Sequence, residues 1–351
     1  MALKKIIRWH GEKDPIPLLY YKQIPGIEGV VTSLYNLPLG QIWPLEKLKM
    51  LKIQVEKIGL TLEVVDSFRI HEDIKLGKPT RDALIENYKV NIRNLAKLGI
   101  KLICYNFMPL FDWTRTEMEH QLPDGSNTLA LKMSIVKKIV PEKGINLPGW
   151  GTNYPPEKLK EFLKEYENIT EEILWENCSY FLKKILPVAE EVGIKMAIHP
   201  DDPPYSVFGL PRIMKNANDI RRLVNLSNSP ANGLTICTGS LASGPGNDIP
   251  AIIREFKDKI YFCHFRNVKL EKNGDFYESG HFSDTGNNDM FEIMKALHDI
   301  KFDGYIRPDH GRMIWGEKAI PGYGLYDRAL GVAYINGLWE AIDKIEKGKK
   351  L

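Results

Sequence analysis

Cysteine is scarce in this chain of 351 residues, which holds only four, at positions 104, 178, 237 and 263. No two of them form a C-x-x-C pair. Cysteines this few and this scattered exclude a disulfide framework and a structural zinc ribbon. We therefore expect a protein of a reducing compartment, and the cytoplasm is the default.

Long apolar runs and blocks of one charge are also missing. No run approaches the ~18 apolar residues of a membrane-spanning helix. The start, MALKKIIRWH, has a two-residue apolar run before Arg8, which is too short for a signal peptide. The 48 basic and 45 acidic residues are interspersed, with a net charge of +3, and form no basic stripe with interleaved aromatics. The sequence therefore predicts neither a membrane nor a nucleic acid as partner.

Glycine-rich phosphate loops are absent as well. No G-x-G-x-x-G or G-x-x-x-x-G-K-[ST] follows a predicted strand. The nearest stretch, GSLASGPG at 239–246, lacks both the spacing and the lysine. This argues against an open, doubly wound nucleotide-binding sheet, which is the alternative architecture.

Strand-like and helix-like runs alternate along the chain. Strands are predicted at 5–9, 29–34, 60–66, 100–107, 195–198, 233–238, 259–266 and 305–308. Helices are predicted at 43–58, 80–98, 171–192, 218–225, 250–256, 289–298 and 325–345, and a short one with Asp14 as its N-cap. Eight short apolar strands, each followed by helical sequence, predict a (β/α)8 barrel in a single domain, 1–351.

A long interruption follows the fourth predicted strand. The segment 109–170 holds six prolines and polar turns such as Pro123-Asp124-Gly125. A loop of this length exceeds the usual connection between a strand and the next helix. We expect it to be a lid-like insertion or a small inserted subdomain.

Four strand ends carry residues that bind metals. His199, Cys237, His264 and Asp309 lie at or just after the ends of the last four predicted strands. The C-terminal strand ends of a barrel converge on one mouth, where the active sites of such barrels lie. Two imidazoles, a thiol and a carboxylate there predict a metal site. The thiolate favours zinc or iron, whereas the carboxylate also suits manganese.

Neighbouring polar residues are expected at the same mouth. Strand parity predicts that Asp201, Arg266 and Arg307 point the same way as the proposed ligands. For Asp201 and Arg266, an ion pair at the rim is the alternative to a substrate contact. His310 lies where the eighth strand ends, and a histidine there can bind a metal, bind an anion or transfer a proton.

Two loops add further candidates. Tyr323 lies in the loop after the eighth strand, so it can overhang the mouth. Trp113 and Arg115 open the long insertion, where an aromatic ring and a guanidinium suit a lid over a sugar acid. An ordinary packing turn explains the same two residues equally well.

The chain resembles the mannonate dehydratase family from end to end. The matching motifs are RWHG (8–11), FMPLFDWTRT (107–116), AIHPDDPP (197–204), LTICTGS (234–240), CHFRN (263–267), RPDHG (307–311) and PGY (321–323). Their common order makes the resemblance specific. It implies a barrel like that of xylose isomerase. It also implies a cytoplasmic enzyme of hexuronate breakdown that dehydrates D-mannonate to 2-keto-3-deoxy-D-gluconate.

The resemblance also implies roles for individual residues. The family's metal ligands fall on His199, Cys237, His264 and Asp309, and its metal is Mn²⁺ or Fe²⁺, not zinc. Its acid/base pair falls on His310 and Tyr323, with Tyr326 as the alternative match for the tyrosine. Arg8 and Asn267, which lie in matched motifs, become candidate substrate contacts, and a homodimer is implied.

Two other functions compete with this one. A divalent-metal sugar isomerase or epimerase uses the same barrel, but such sites favour several carboxylates, so Cys237 argues against it. A non-catalytic sugar-acid binding protein would leave the thiolate–imidazole metal set without a purpose. Product analysis separates the three.

Overall fold

In the computed structural model, residues 3–139 and 154–348 are described, and they build a closed parallel barrel. Its strands are β1 (Lys4–Arg8), β2 (Gly29–Thr32), β3 (Thr61–Val65), β4 (Leu102–Tyr105), β7 (Lys195–Ile198), β8 (Asn232–Cys237), β9 (Ile260–His264) and β12 (Tyr305–Arg307). Each overlaps a predicted strand. They follow one another around the barrel in the order β1-β12-β9-β8-β7-β4-β3-β2, so the predicted (β/α)8 fold is confirmed.

The longer helices alternate with these strands as predicted. They are α2 (Leu45–Glu56), α4 (Arg81–Lys97), α7 (Glu171–Glu191), α8 (Ala217–Asn225), α10 (Ile249–Glu255), α11 (Met290–Asp299) and α12 (Leu325–Gly348). Side chains of Thr170, Asn216, Asp248 and Asp289 cap four of them by accepting backbone N–H bonds. No helix among residues 3–139 and 154–348 is long and apolar enough to cross a membrane.

The predicted N-cap of the first helix is wrong. α1 (Leu18–Lys22) begins after Pro17, three residues later than the prediction with Asp14 as N-cap. Pro17 disfavours helical backbone at Ile16, which delays the helix. The Asp14 carboxylate instead accepts bonds from the backbone N–H groups of His10 and Ile16, and so it shapes the loop after β1.

The barrel interior is divided into an apolar layer and a polar layer. Side chains of Ile6, Val31, Val64, Leu102, Cys104, Ala197, Phe262 and Tyr305 fill the apolar layer. A larger apolar cluster lies between the strands and the surrounding helices. Because strand residues alternate in direction, Phe262 belongs to the inner cluster and Cys263 to the outer one. The polar residues lie beyond the inner apolar layer, toward the C-terminal strand ends.

A second, four-stranded antiparallel sheet was not predicted. It contains β5 (Glu117–Gln121), β6 (Asn127–Leu131), β10 (Val268–Leu270) and β11 (Phe276–Glu278), in the order β10-β11-β6-β5. This sheet joins the insertion after β4 to the loop after β9, for example through the pairing of Phe276 with Leu131. The pairs β5–β6 and β10–β11 are local hairpins, but the pairing of β6 with β11 joins segments that are far apart in the chain, so no local pattern predicts the complete sheet.

Short helices complete the connections: α3 (Glu72–Lys75), α5 (Met133–Val136), α6 (Pro156–Tyr166) and α9 (Thr238–Ser243). The last of these takes up the first part of the glycine-rich stretch 239–246. α6 lies in the insertion, and its Tyr166 hydroxyl donates to Glu72 at 2.6 Å, which ties α6 to α3. Part of the predicted lid, 140–153, lies outside the described residues, so the lid stays a prediction.

Candidate metal centre and active site

The four predicted ligands converge at one point of the barrel mouth. His199 directly follows β7, Cys237 ends β8, His264 ends β9, and Asp309 lies two residues past β12. One ligand atom from each lies within 4.8 Å of those of the other three. The structure therefore brings together the four residues that the strand ends predict as metal ligands.

The distances between these atoms fit a shared metal ion. His199 Nε2 lies 3.2 Å from His264 Nδ1, which is 3.7 Å from Asp309 Oδ2, and that oxygen is 3.8 Å from Cys237 Sγ. Ligands ~2.0–2.3 Å from one tetrahedral ion are separated by roughly 3.3–3.8 Å. The donor set and its spacing therefore fit a divalent transition-metal ion.

A hydrogen bond to the backbone orients the His199 imidazole. Its Nδ1 lies 2.6 Å from the carbonyl oxygen of Pro200, to which the Nδ1–H donates. A neutral imidazole protonated at Nδ1 carries its lone pair on Nε2, the atom that faces the cluster. Burial lowers the pKa of His199, which favours this neutral form.

The charges around the centre balance before any ligand is added. In the described part of the chain, four buried guanidiniums face four buried carboxylates: Arg8, Arg115, Arg266 and Arg307 with Asp66, Asp202, Glu278 and Asp309. A divalent cation would then be matched by a Cys237 thiolate and one anionic group of a substrate. The site thus suits a metal together with an acid.

Guanidiniums keep the Asp309 carboxylate ionised. Burial alone would raise the pKa of Asp309, but Arg307, His310, His264 and Arg266 together hold it well below its usual value. Arg307 Nη2 lies 2.6 Å from Oδ1, and Arg266 Nη1 lies 3.1 Å from Oδ2. Gly239 permits this position of Arg266, because a Cβ there would clash with the guanidinium.

His310 and Tyr323 form a hydrogen-bonded pair beside the centre. His310 Nε2 lies 2.9 Å from the Tyr323 hydroxyl. Burial raises the pKa of Tyr323, so the phenol stays protonated at neutral pH and donates. Tyr326, the alternative match, is 44% exposed and packs its ring against Trp315. The geometry therefore favours Tyr323 as the partner of His310.

Several predicted substrate residues line a small cavity of about 40 Å³ at this mouth. They are Arg8, Trp113, Arg266 and Arg307. The Trp113 ring centroid lies 5.7 Å from that of His310. Trp113 thus brings the start of the insertion next to the His310–Tyr323 pair.

Three predicted substrate residues lie outside the described lining of this cavity, which corrects their placement. Asp201 Oδ2 accepts bonds from the backbone N–H groups of Ile213 and Met214. The parity argument failed for Asp201 because β7 ends at Ile198, beyond which side chains no longer alternate. The other two, Asn267 and Arg115, are also buried in internal contacts.

The internal contacts of Asn267 and Arg115 are specific. Asn267 Oδ1 accepts from the backbone of Val268 and Asn288, and so it fixes the loop after β9. Arg115 is fully buried and pairs with Asp202 and Glu278. Both residues therefore support the walls of the site.

Sequence reasoning missed several carboxylates at this mouth, among them Asp66, Asp202 and Glu278. Asp66 and Asp202 had usable signals, because the first follows the third barrel strand and the second follows Asp201 in the HPDD motif. Asp66 pairs with Arg8 Nη2 at 2.6 Å and with Arg307 Nη2 at 3.0 Å. Glu278 had no local signal, because it reaches the site on the unpredicted strand β11.

Comparisons with known proteins agree with this site. A model of the D-mannonate dehydratase (UxuA) family matches residues 3–349. A mannonate dehydratase from Thermotoga petrophila is 54% identical over 358 residues, covering 98% of this chain and 99% of that protein. The crystal structure of mannonate dehydratase from Streptococcus suis serotype 2 has a TM-score of 0.92 and 49% identity, covering 99% of this chain and 96% of that one.

More distant structures share the fold alone. A D-psicose 3-epimerase from Clostridium cellulolyticum H10 has a TM-score of 0.54 at 14% identity, with 98% of each chain covered. The mannonate dehydratases above share about half of their residues with this chain, whereas the epimerase shares 14% over a similar length. The chain belongs to the mannonate dehydratase family.

Proposed function

We propose that this protein dehydrates D-mannonate to 2-keto-3-deoxy-D-gluconate with the help of Mn²⁺ or Fe²⁺. One observation carries the proposal: the His199–Cys237–His264–Asp309 cluster lies beside the His310–Tyr323 pair in a chain of this family. A cluster of this kind beside a proton-transfer pair suits the removal of water from a hydroxy acid.

Unpaired donors at the mouth suit an acidic substrate. Arg307 Nε and Nη1, Arg8 Nε and Arg266 Nη2 are buried and have no hydrogen-bond partner among the described residues. Buried guanidinium N–H groups normally donate hydrogen bonds, and the carboxylate and hydroxyl oxygens of a sugar acid are suitable acceptors for them. These three arginines would bind and orient the carboxylate end of mannonate.

The reaction breaks one C–H and one C–O bond. The C2–H electron pair becomes the C2=C3 bond as the C3 hydroxyl leaves, and the departing hydroxyl gains a proton to become water. The resulting enol rearranges to the 2-keto, 3-deoxy acid. A divalent ion bound by the four ligands would act as a Lewis acid that stabilises negative charge developing next to the substrate carboxylate.

His310 and Tyr323 would divide the two proton transfers. The Tyr323 phenol is protonated and hydrogen-bonded to His310 Nε2, so it suits the donor that turns the leaving hydroxyl into water. The His310 Nε2 lone pair then suits the acceptor of the C2 proton. The buried surroundings of both groups limit exchange with bulk water.

We also propose a lid, a cellular location and an oligomeric state for this protein. The segment 109–170 would close over bound mannonate, and the protein would work in the cytoplasm as a homodimer. Mannonate added with metal should change the Trp113 contribution to fluorescence, measured against a Trp113→Phe variant, because closing lids alter the surroundings of their residues. An identical difference spectrum with and without mannonate would mean a fixed subdomain.

A product assay tests the proposed reaction. Purified protein is incubated with D-mannonate and Mn²⁺, or with Fe²⁺ in a parallel sample, under reducing conditions. We expect 2-keto-3-deoxygluconate to form and a chelator to abolish its formation. A ketose or an epimer would instead indicate an isomerase, and unchanged mannonate would indicate a binding protein.

A further inference from the structure

We propose that Glu278 is a positioning residue that fixes the orientation and the tautomer of His310, in a chain Glu278–His310–Tyr323. The inference rests on the proposed function, because it gives His310 a partner for the proton transfers of that reaction. Glu278 is not among the described residues that line the cavity or that group as metal ligands, so it would act on the reaction through the His310 imidazole.

The geometry of the three side chains supports this chain. Glu278 Oε1 lies 3.2 Å from His310 Nδ1, and the opposite nitrogen, Nε2, lies 2.9 Å from the Tyr323 hydroxyl. The Glu278–His310 contact has the distance of a hydrogen bond but not its alignment in this structure. Catalytic hydrogen bonds are often loose without substrate and tighten in the complex. Each imidazole nitrogen thus faces a different oxygen.

A carboxylate at Nδ1 decides where a neutral imidazole keeps its proton. A carboxylate accepts but cannot donate, so it favours the Nδ1–H tautomer and leaves the lone pair on Nε2. The Nε2 atom is the one that faces Tyr323, and it is the atom needed to accept a proton. In other enzymes, carboxylates orient imidazoles in the same way.

Two arginines hold the Glu278 carboxylate in place. Arg115 Nη2 and Nε lie 2.6 and 3.1 Å from Oε1, and Arg266 Nε lies 2.9 Å from Oε2. Burial opposes ionisation of Glu278, but these guanidiniums lower its pKa to about 2. The backbone of Glu278 pairs with Val268 in the small sheet. An ionised and immobile carboxylate is what a positioning group requires.

A counter-ion role is the alternative reading, and Asp202 provides the comparison. Asp202 pairs with the same two arginines, at 2.9 Å from Arg115 Nη1 and 3.0 Å from Arg266 Nη1. Its further side-chain bond comes from the Ser240 hydroxyl. Loss of either carboxylate therefore disturbs the arginines, but Glu278 alone of the two faces the His310 ring at hydrogen-bonding distance among the described contacts.

The experiment measures the tautomer and the kinetics together. The ¹⁵N-histidine spectrum of the protein loaded with diamagnetic Zn²⁺ reports the protonated nitrogen of His310, which is assigned by comparison with His310→Asn. Wild type, Glu278→Gln, Glu278→Asp and Asp202→Asn are compared. kcat and KM for mannonate and the bound metal are measured on the same samples loaded with Mn²⁺.

We expect His310 to be the Nδ1–H tautomer in the wild type and in Asp202→Asn, and to lose that preference in Glu278→Gln. Glu278→Gln should lower kcat about 10–100-fold with little change in KM or metal content, as for other residues that orient a catalytic imidazole. Glu278→Asp should recover part of the Nδ1–H tautomer preference and part of kcat. Glu271→Gln, which removes a partly exposed ion pair with Lys132 beside the same sheet, should leave kcat unchanged.

Several results would overturn the inference. A wild-type His310 protonated at Nε2 would refute it without any variant, even if Glu278→Gln failed to fold. The inference also fails if Glu278→Gln keeps the wild-type tautomer, or lowers kcat no more than Asp202→Asn does. Absence of 2-keto-3-deoxygluconate with wild-type protein would instead refute the proposed function, because the tautomer measurement does not depend on turnover.

Discussion

Two adjacent residues, Asp309 and His310, should respond to substitution in opposite ways. Asp309 Oδ2 faces Cys237 Sγ and His264 Nδ1 at 3.8 and 3.7 Å, so we expect it to hold the metal. The nitrogens of His310 face Tyr323 and Glu278 instead, so we expect His310 to move a proton. Asp309→Asn and His310→Asn test this separation.

The magnitudes follow from the contacts. His310→Asn should lower turnover by about 10²–10⁴-fold, the usual size of one acid/base contribution, which is about 3–5 kcal/mol of barrier. Its metal content should stay at the wild-type level. Asp309→Asn removes a ligand and also the charge that Arg307 and Arg266 face at 2.6 and 3.1 Å. Removing one partner of a buried ion pair costs about 3–5 kcal/mol, so this variant should lose metal and stability together.

The assay combines metal analysis after dialysis, steady-state kinetics with mannonate and thermal unfolding. We expect a metal-replete, slow His310→Asn enzyme and a metal-depleted Asp309→Asn protein with a lower melting temperature. A metal-depleted His310→Asn beside a metal-replete Asp309→Asn would mean that the two roles are exchanged.

Four further substitutions test other parts of the structure. Cys237→Ser should lower metal content and activity together, with partial recovery in excess Mn²⁺ because a hydroxyl is a poorer ligand; full metal occupancy would exclude Cys237 as a ligand. Lys75→Met removes the cation that pairs with the buried Glu72 carboxylate and should lower the free energy of unfolding in urea by about 3–5 kcal/mol. Lys52→Met, at a surface ion pair, should change it by at most about 0.5 kcal/mol, and equal losses in the two variants would contradict the argument. Burial lowers the pKa of His10 from 6.5 to about 4, so between these pH values the unfolded chain binds a proton that the folded chain does not. Stability should therefore fall as pH drops from 6.5 to 4, and His10→Gln should flatten that fall in urea titrations, whereas an unchanged slope would contradict it.

The sequence by itself determined the barrel and the set of candidate metal ligands. Each barrel strand is a short local run, and a parallel closed sheet brings all C-terminal strand ends to one mouth. The position of His199, Cys237 and His264 at or just after the ends of their strands was therefore enough to predict that they meet. The same local logic placed the long helices, apart from the start of α1, where Pro17 overrode the capping signal of Asp14.

Only the tertiary structure decided which other groups surround that centre. Asp201 turns to the backbone of its own loop, and Tyr323 rather than Tyr326 meets His310, because loop residues lack the periodicity that fixes direction in a strand. Glu278 reaches His310 because β11 pairs with β6, which lies more than a hundred residues earlier in the chain. Such pairing depends on contacts between distant segments, which the local residue pattern of either strand does not specify.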